Sequence, residues 1–189
     1  MALRNVVVCF GDSLTYGSRD IVEGRGYPAM LVDLIEQETQ QICVCINKGI
    51  TRETSTDILR RAYDVLRAYP ESNLALILAG TNDLKGTPNP IVYKENIKQI
   101  VNIARVCGKR VLVGKLPPIQ SMGMWCFPKD ANKGVALYND ILETLSKEMD
   151  FPLVDFSDMG DYLCDGVHFG PEGYELMAKK WFEGIKELI

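Results

Sequence analysis

The chain has 189 residues, a formal net charge of −4 and a hydrophobic fraction of 47%. This length suits one packed core and is short for two, so we expect a single domain over residues 1–189. The negative charge argues against nucleic acid or an anionic membrane surface as a partner. No stretch approaches the length of a membrane span, and the first residues do not resemble a secretory signal. We therefore expect a cytoplasmic protein.

Short apolar runs alternate along the chain with segments of helical periodicity. The runs predict strands at residues 5–10, 42–46, 74–79, 110–114 and 152–154. The periodic segments predict helices at residues 28–40, 54–69, 90–106 and 132–149, and a last helix with Pro171 in its first turn. Thr54 and Asp57 stand at capping-box spacing, and Gly108 is placed to end the third helix.

The alternation of strands and helices predicts an α/β fold. The first three strands are almost continuously apolar, as expected for parallel strands that are buried on both faces. Right-handed crossovers and five strands favour a flavodoxin-like parallel sheet of order 2-1-3-4-5, with helices on both faces. Ligands of such sheets bind beyond the carboxyl ends of the strands.

Polar residues follow the first, third and fifth predicted strands. Ser13 follows the first strand, Thr81-Asn82-Asp83 follows the third, and the segment 165–168 follows the fifth. Taken singly, these residues fit ordinary turns and loops. Because the carboxyl ends of parallel strands share one edge, we expect the three groups to meet there, and their joint occurrence favours chemistry.

The chain has one histidine, His168, which is therefore its one candidate for an imidazole base. A serine hydroxyl becomes a nucleophile when a base takes its proton, and a carboxylate must orient that base. We predict that Ser13 is the nucleophile, His168 the base and Asp165 the orienting acid. The backbone N–H of Ser13 and the side-chain amide of Asn82 are candidate oxyanion donors.

Four separated blocks resemble the SGNH hydrolases, which are also called GDSL-type esterases and lipases. The blocks are Gly11-Asp12-Ser13-Leu14, residues 47–54, Gly80-Thr81-Asn82-Asp83 and Asp165-Gly166-Val167-His168. The resemblance covers nearly the whole chain. It implies a three-layer α/β/α sandwich and hydrolysis of small or medium carboxylic esters or thioesters through an acyl-serine. It also implies that Asp12 and Asp83 are structural residues that bond the loop backbones.

The second block departs from the common family pattern. Many members carry Asn-x-x-x-x-Gly, whose glycine gives a backbone N–H to the oxyanion; counted from Asn47, that position holds Arg52, with a glycine earlier at Gly49. The Arg52 backbone can still serve as the donor. Its side chain is either a solvated cation paired with Glu53 or nearby acids, or a contact to an anionic part of the substrate.

An apolar loop follows the fourth predicted strand. Its large residues are Met122, Met124, Trp125 and Phe127. They are candidate substrate-binding residues that could wall an acyl or aryl pocket. The open alternatives are packing onto the next helix and an oligomer contact.

The competing function is a non-catalytic flavodoxin-like module that binds a small ligand. We expect instead an enzyme with a small-molecule ester substrate and no metal or organic cofactor, because one histidine and scattered acids give no ligand cluster of recognised spacing. The natural ester and the oligomeric state are left open by the sequence.

Overall fold

The computed structural model describes residues 4–120 and 126–189. It contains a five-stranded parallel sheet of order β2-β1-β3-β4-β5, which confirms the predicted α/β fold and strand order. The strands are β1 (Arg4–Gly11), β2 (Ile42–Gly49), β3 (Leu74–Leu78), β4 (Arg110–Gly114) and β5 (Leu153–Val154).

Helices connect every pair of consecutive strands. They are α1 (Ser13–Tyr16), α2 (Gly26–Thr39), α3 (Ser55–Arg67), α4 (Pro90–Val106), α5 (Ala131–Met149) and α6 (Pro171–Ile185), with short 3₁₀ turns at Asn82–Leu84 and Gly160–Tyr162. Because α2 contacts α6, while α4 contacts both α3 and α5, the helices form two groups on the two faces of the sheet. No helix in residues 4–120 and 126–189 is long and apolar enough to cross a membrane.

The core lies on both sides of the three middle strands. Every residue of β3 is buried, as its unbroken apolar sequence predicts. Trp181 of α6 is the largest side chain without solvent exposure in the described part of the chain, and its ring contacts the rings of Tyr27 and Phe156. This packing fixes α6, and with it the loop that precedes α6, against the sheet.

Local signals set several element ends. Thr54 caps α3 with the predicted capping box: its side chain accepts from the Asp57 N–H, and the Asp57 side chain accepts from the Thr54 N–H. Gly108 follows the end of α4 with a left-handed φ of 78°. After β1, Ser13–Tyr16 form one helical turn. Asp12 accepts from the Leu14 N–H at its start, and Gly17 ends it with a left-handed φ of 93°.

Candidate active site

Ser13, His168 and Asp165 lie in one hydrogen-bonded line at the carboxyl edge of the sheet. His168 Nε2 is 3.0 Å from Ser13 Oγ, and His168 Nδ1 is 2.9 Å from Asp165 Oδ2. All three residues are buried. When Nδ1 carries the ring proton and donates it to Asp165, Nε2 presents its lone pair to the serine hydroxyl. This geometry is the one in which an imidazole can take a proton from serine.

The loop before α6 holds the acid and the imidazole together. Asp165 Oδ1 accepts from the N–H groups of Val167, at 3.1 Å, and His168, at 2.8 Å. The His168 carbonyl accepts from the Cys164 N–H at 2.8 Å, which closes the loop. Gly166 supplies the left-handed φ of 85° that this tight turn requires. The loop therefore presents the carboxylate and the ring in a fixed relation.

Asp165 is ionised more readily than an ordinary aspartate. Burial by itself raises its pKa, but hydrogen bonds from the His168 backbone and ring, together with one from Arg19, outweigh burial and lower the pKa below its usual value. Arg19 Nε donates to Asp165 Oδ2 at 3.1 Å. Sequence analysis missed Arg19, which lies 146 positions from Asp165 and belongs to no recognised motif.

Asn82 is held beside Ser13 by a hydrogen bond to the backbone of the second block. Its Nδ2 donates to the Glu53 carbonyl at 2.9 Å, and the Glu53 carboxylate pairs with Arg61 at 2.6 Å. Arg61 Nη2 also donates to the carbonyls of Gly11 and Lys48, each at 3.0 Å, and so links the ends of β1 and β2. Since a primary amide has two N–H groups, Asn82 keeps one for a ligand.

Asp12 and Asp83 bond loop backbones, as the family resemblance implies. Asp12 Oδ1 accepts from the Leu14 N–H at 2.9 Å. Asp83 accepts from both the N–H and the hydroxyl of Ser55, the first residue of α3. These contacts fix the start of α1 and the Asn82 turn.

The second block contains two candidate oxyanion donors, the backbone N–H groups of Gly49 and Arg52. The Gly49 N–H donates to Asn47 Oδ1 at 2.9 Å and is thereby already used. Arg52 lines the pocket and adopts a left-handed φ of 69°, a conformation that favours glycine. The position therefore suits the glycine that many family members carry. Of the alternatives for the Arg52 side chain, the ion pair with Glu53 is not formed, because the Glu53 carboxylate contacts Arg61.

A pocket of about 430 Å³ opens at Ser13. Its lining includes Ser13, Asn82 and His168, together with Arg52 and Phe127 from the predicted set. Met122, Met124 and Trp125, also predicted to bind substrate, lie outside the described residues. The pocket is also lined by Lys85, which sequence analysis did not select. Within residues 4–120 and 126–189, no cluster of His, Cys, Asp or Glu side chains is arranged to hold a metal ion.

The strand order and the helices on both faces define a three-layer α/β/α protein of the SGNH hydrolase class. The model of the GDSL-like lipase/acylhydrolase family matches residues 9–176, and the chain belongs to this family. A relative in Bacillus subtilis (strain 168), the uncharacterized lipoprotein YqeF, is 32% identical, and the match covers 79% of this chain and 69% of the relative. Because that relative is named a lipoprotein, the expected cytoplasmic location is without support and stays a prediction.

Solved structures of esterases share the fold. The lipase/acylhydrolase from Enterococcus faecalis has a TM-score of 0.82 at 20% identity, covering 97% of this chain and 96% of that one. The native aryl esterase of M. smegmatis has a TM-score of 0.81 at 18% identity, covering 98% and 100%. A carbohydrate acetylesterase family member from Sinorhizobium meliloti has a TM-score of 0.80 at 19% identity, covering 97% and 96%.

Proposed function

We propose that this protein is a serine esterase or acylhydrolase that cleaves small or medium carboxylic esters or thioesters through an acyl-serine intermediate. The observation that supports it is the line from Ser13 through His168 to Asp165, with heavy-atom distances of 3.0 and 2.9 Å. Membership of the GDSL-like lipase/acylhydrolase family supports the same reaction class and makes a non-catalytic ligand-binding module the weaker interpretation.

In the first half of the proposed reaction, Ser13 Oγ attacks the carbonyl carbon of the ester while its proton passes to His168 Nε2. The ionised Asp165 stabilises the imidazolium that forms. The carbonyl oxygen becomes an oxyanion, for which the backbone N–H groups of Ser13 and Arg52 and the free N–H of Asn82 are the proposed donors. Collapse of the intermediate breaks the bond to the alcohol oxygen, which takes the proton from His168.

In the second half, water replaces the alcohol. His168 takes a proton from the water as it attacks the acyl carbon, and the second tetrahedral intermediate uses the same donors. Collapse returns the proton to Ser13 Oγ and releases the carboxylic acid. The balance is one ester and one water consumed, with one acid and one alcohol formed. The residues supply every proton transfer, so no cofactor enters the proposed cycle.

The experiment that tests this proposal is labelling with a fluorophosphonate, which reacts covalently with activated serines. We expect the label on Ser13 by peptide mapping and none in Ser13→Ala or His168→Ala, whose ester turnover should fall by several orders of magnitude. Both variants should retain the unfolding temperature of the parent to within a few degrees. Absence of label on Ser13 in folded protein that also hydrolyses no ester would contradict the proposal.

A further inference from the structure

The pocket at Ser13 has an uneven distribution of charge. Three cationic side chains, Arg19, Arg52 and Lys85, are found among its described lining residues, against one acidic side chain, Glu23. Asp12 carries a carboxyl group nearby, but it is fully buried and does not line the pocket. A ligand that enters the pocket therefore meets a net positive wall.

Arg19 is the cation whose charge is balanced within the protein. Its Nε contacts Asp165 Oδ2 at 3.1 Å, and its Nη1 lies 3.7 Å from Glu23 Oε1. Arg19 thereby contacts both Glu23, the acidic residue among the described pocket lining, and Asp165. The other two cationic residues of the pocket lining are Arg52 and Lys85.

Arg52 is an exposed residue of the pocket lining. Glu53, next to it in sequence, is paired with Arg61 on the side of α3. In residues 4–120 and 126–189, no carboxylate forms a salt bridge with Arg52. The left-handed φ of 69° at Arg52 is strained for a residue with a side chain. A long charged side chain therefore lies at a backbone conformation that favours glycine.

Lys85 adds a second positive charge on the same wall. It follows the 3₁₀ turn that contains Asn82, and its Nζ lies 5.3 Å from the centre of the Phe127 ring. Burial lowers the pKa of Lys85; Asp12 opposes this shift, and the charge of Arg52 adds to it. Arg52 and Lys85 thus place two cationic side chains in the lining of one pocket, and an anion bound near them would be attracted by both.

We infer that the ester substrate bears an anionic group, a carboxylate or a phosphate, and that Arg52 and Lys85 bind this group beside Ser13. The guanidinium can contact two oxygens of such a group at once, and the lysine adds a point charge. This substrate class rests on the proposed esterase activity and narrows it. The anion can lie on the acid or on the alcohol side of the ester, because Arg52 and Lys85 line the same pocket as Ser13 and either part of an ester can occupy that pocket.

Two pairs of esters distinguish an anion on the acid side from an anion on the alcohol side. The rate of acid release is measured for each ester. Monoethyl succinate against ethyl pentanoate places the anion on the acid side, and 2-acetoxyethyl phosphate against 2-acetoxyethanol places it on the alcohol side. In at least one pair, we expect kcat/KM of the anionic ester to exceed that of its neutral partner by about tenfold or more, which corresponds to about 1.4 kcal/mol. Added salt should reduce this preference, because it screens the contact.

The variants Arg52→Asn and Lys85→Gln test whether these two side chains bind the anionic group. Asparagine tolerates the left-handed backbone at position 52, so the charge is removed without a new strain. Each variant should lower the ratio of kcat/KM for the anionic ester to kcat/KM for its neutral partner. In the double variant this ratio should be near one. Lys98→Gln removes an exposed charge on α4 and should keep the preference of the parent.

Two results would overturn the inference while leaving the esterase proposal intact. The first is equal kcat/KM within both pairs for a protein that takes the fluorophosphonate label on Ser13. The second is a preference for the anionic ester that survives in the double variant. If no ester of either pair is hydrolysed and Ser13 takes no label, the proposed function fails, and the substrate class fails with it.

Discussion

At the scale of single residues, Asn82 shows how a site residue is held ready by contacts that carry no chemistry. One of its N–H groups is fixed on the Glu53 carbonyl, and Arg61 fixes Glu53 in turn. In the proposed mechanism, a donor that is already oriented needs no reorganisation when charge develops on the substrate oxygen. Preorganised donors of this kind act on the transition state more than on the bound substrate.

We predict that Asn82→Ala lowers kcat by about 10²- to 10³-fold with a much smaller effect on KM, because one oxyanion donor is lost. Steady-state kinetics on a neutral acetate ester measure both constants. Asn89→Ala, at the start of α4, removes another amide side chain and serves as the matched control. If Asn82→Ala and the control have the same kcat, Asn82 does not act as an oxyanion donor.

Asp12 is a second residue whose environment has a measurable consequence. It is fully buried, its Oδ2 has no hydrogen-bond partner among the residues described, and burial raises its pKa from 3.8 to about 7. The hydrogen bond from the Leu14 N–H opposes this shift, and the charge of Asp83 adds to it. The folded state therefore binds the Asp12 proton more tightly than the unfolded state does.

The sign of the pH effect follows from this difference. The contribution of Asp12 to stability is fully present below pH 4 and is lost as the pH rises to about 7, since unfolding then releases a proton. Asparagine does not titrate, so Asp12→Asn should gain stability relative to the parent between pH 5 and pH 8, by an amount on the order of 1–3 kcal/mol. Urea unfolding at both pH values measures it, with exposed Asp64→Asn as the charge control. A difference that stays constant with pH would contradict this account.

At the scale of elements, the start of α3 connects helix stability to the site. Thr54 and Asp57 complete a capping box, while Ser55, one residue on, donates its N–H and hydroxyl to Asp83. The hydrogen bond from the Thr54 side chain is the main reason that the pKa of Asp57 is lowered. The same turn of helix thus satisfies its own N–H groups and anchors the segment that carries Asn82.

We predict that Thr54→Ala lowers the free energy of unfolding by about 1 kcal/mol, because the N-cap of α3 is lost. Thr54→Ser keeps the hydroxyl and should retain most of the stability of the parent. Chemical denaturation of the three proteins measures the differences. Equal losses in the alanine and serine variants would show that the hydroxyl does not act as a cap.

At the scale of the whole molecule, the site exists because five parallel strands end at one edge. The strand order places β1 between β2 and β3, so Ser13 lies between the segment of Arg52 and the turn of Asn82. The packing of α6 on the sheet then brings the loop of Asp165 and His168 across to Ser13. Gly49 permits this convergence, because α1 crosses the end of β2 at a distance that leaves no room for a side chain.

Gly49→Ala should therefore lower stability and activity together. A Cβ at position 49 would lie 2.1 Å from the backbone nitrogen of Tyr16, so β2 or the helix that begins with Ser13 must move. We expect a loss of about 1–3 kcal/mol in the free energy of unfolding and a large loss of kcat. At Gly170 an added Cβ meets Cys164 at an ordinary 3.9 Å, and Gly170→Ala is the control. Retention of both properties in Gly49→Ala would refute the close packing.

Much of the architecture could be predicted because its causes are local. Continuous apolar runs predicted the buried strands, and residues such as Thr54 and Gly108 marked helix ends through bonds to their own neighbours. The types and order of Ser13, Asn82, Asp165 and His168 were readable for the same reason, since each follows a recognisable strand or precedes a recognisable helix. The sequence alone thus determined the fold class, the strand order and the candidate catalytic set.

Only the tertiary structure decided which side chains surround that set. Arg19 meets Asp165 across 146 positions, and Arg61 reaches the carbonyl of Gly11 across 50. It also decided that Glu53 pairs with Arg61 and leaves Arg52 at the pocket. Such pairings depend on where distant elements pack and on side-chain direction, neither of which local periodicity encodes. A charged residue has the same sequence signature whether it neutralises a neighbour or faces a ligand, and the three-dimensional neighbours alone distinguish the two.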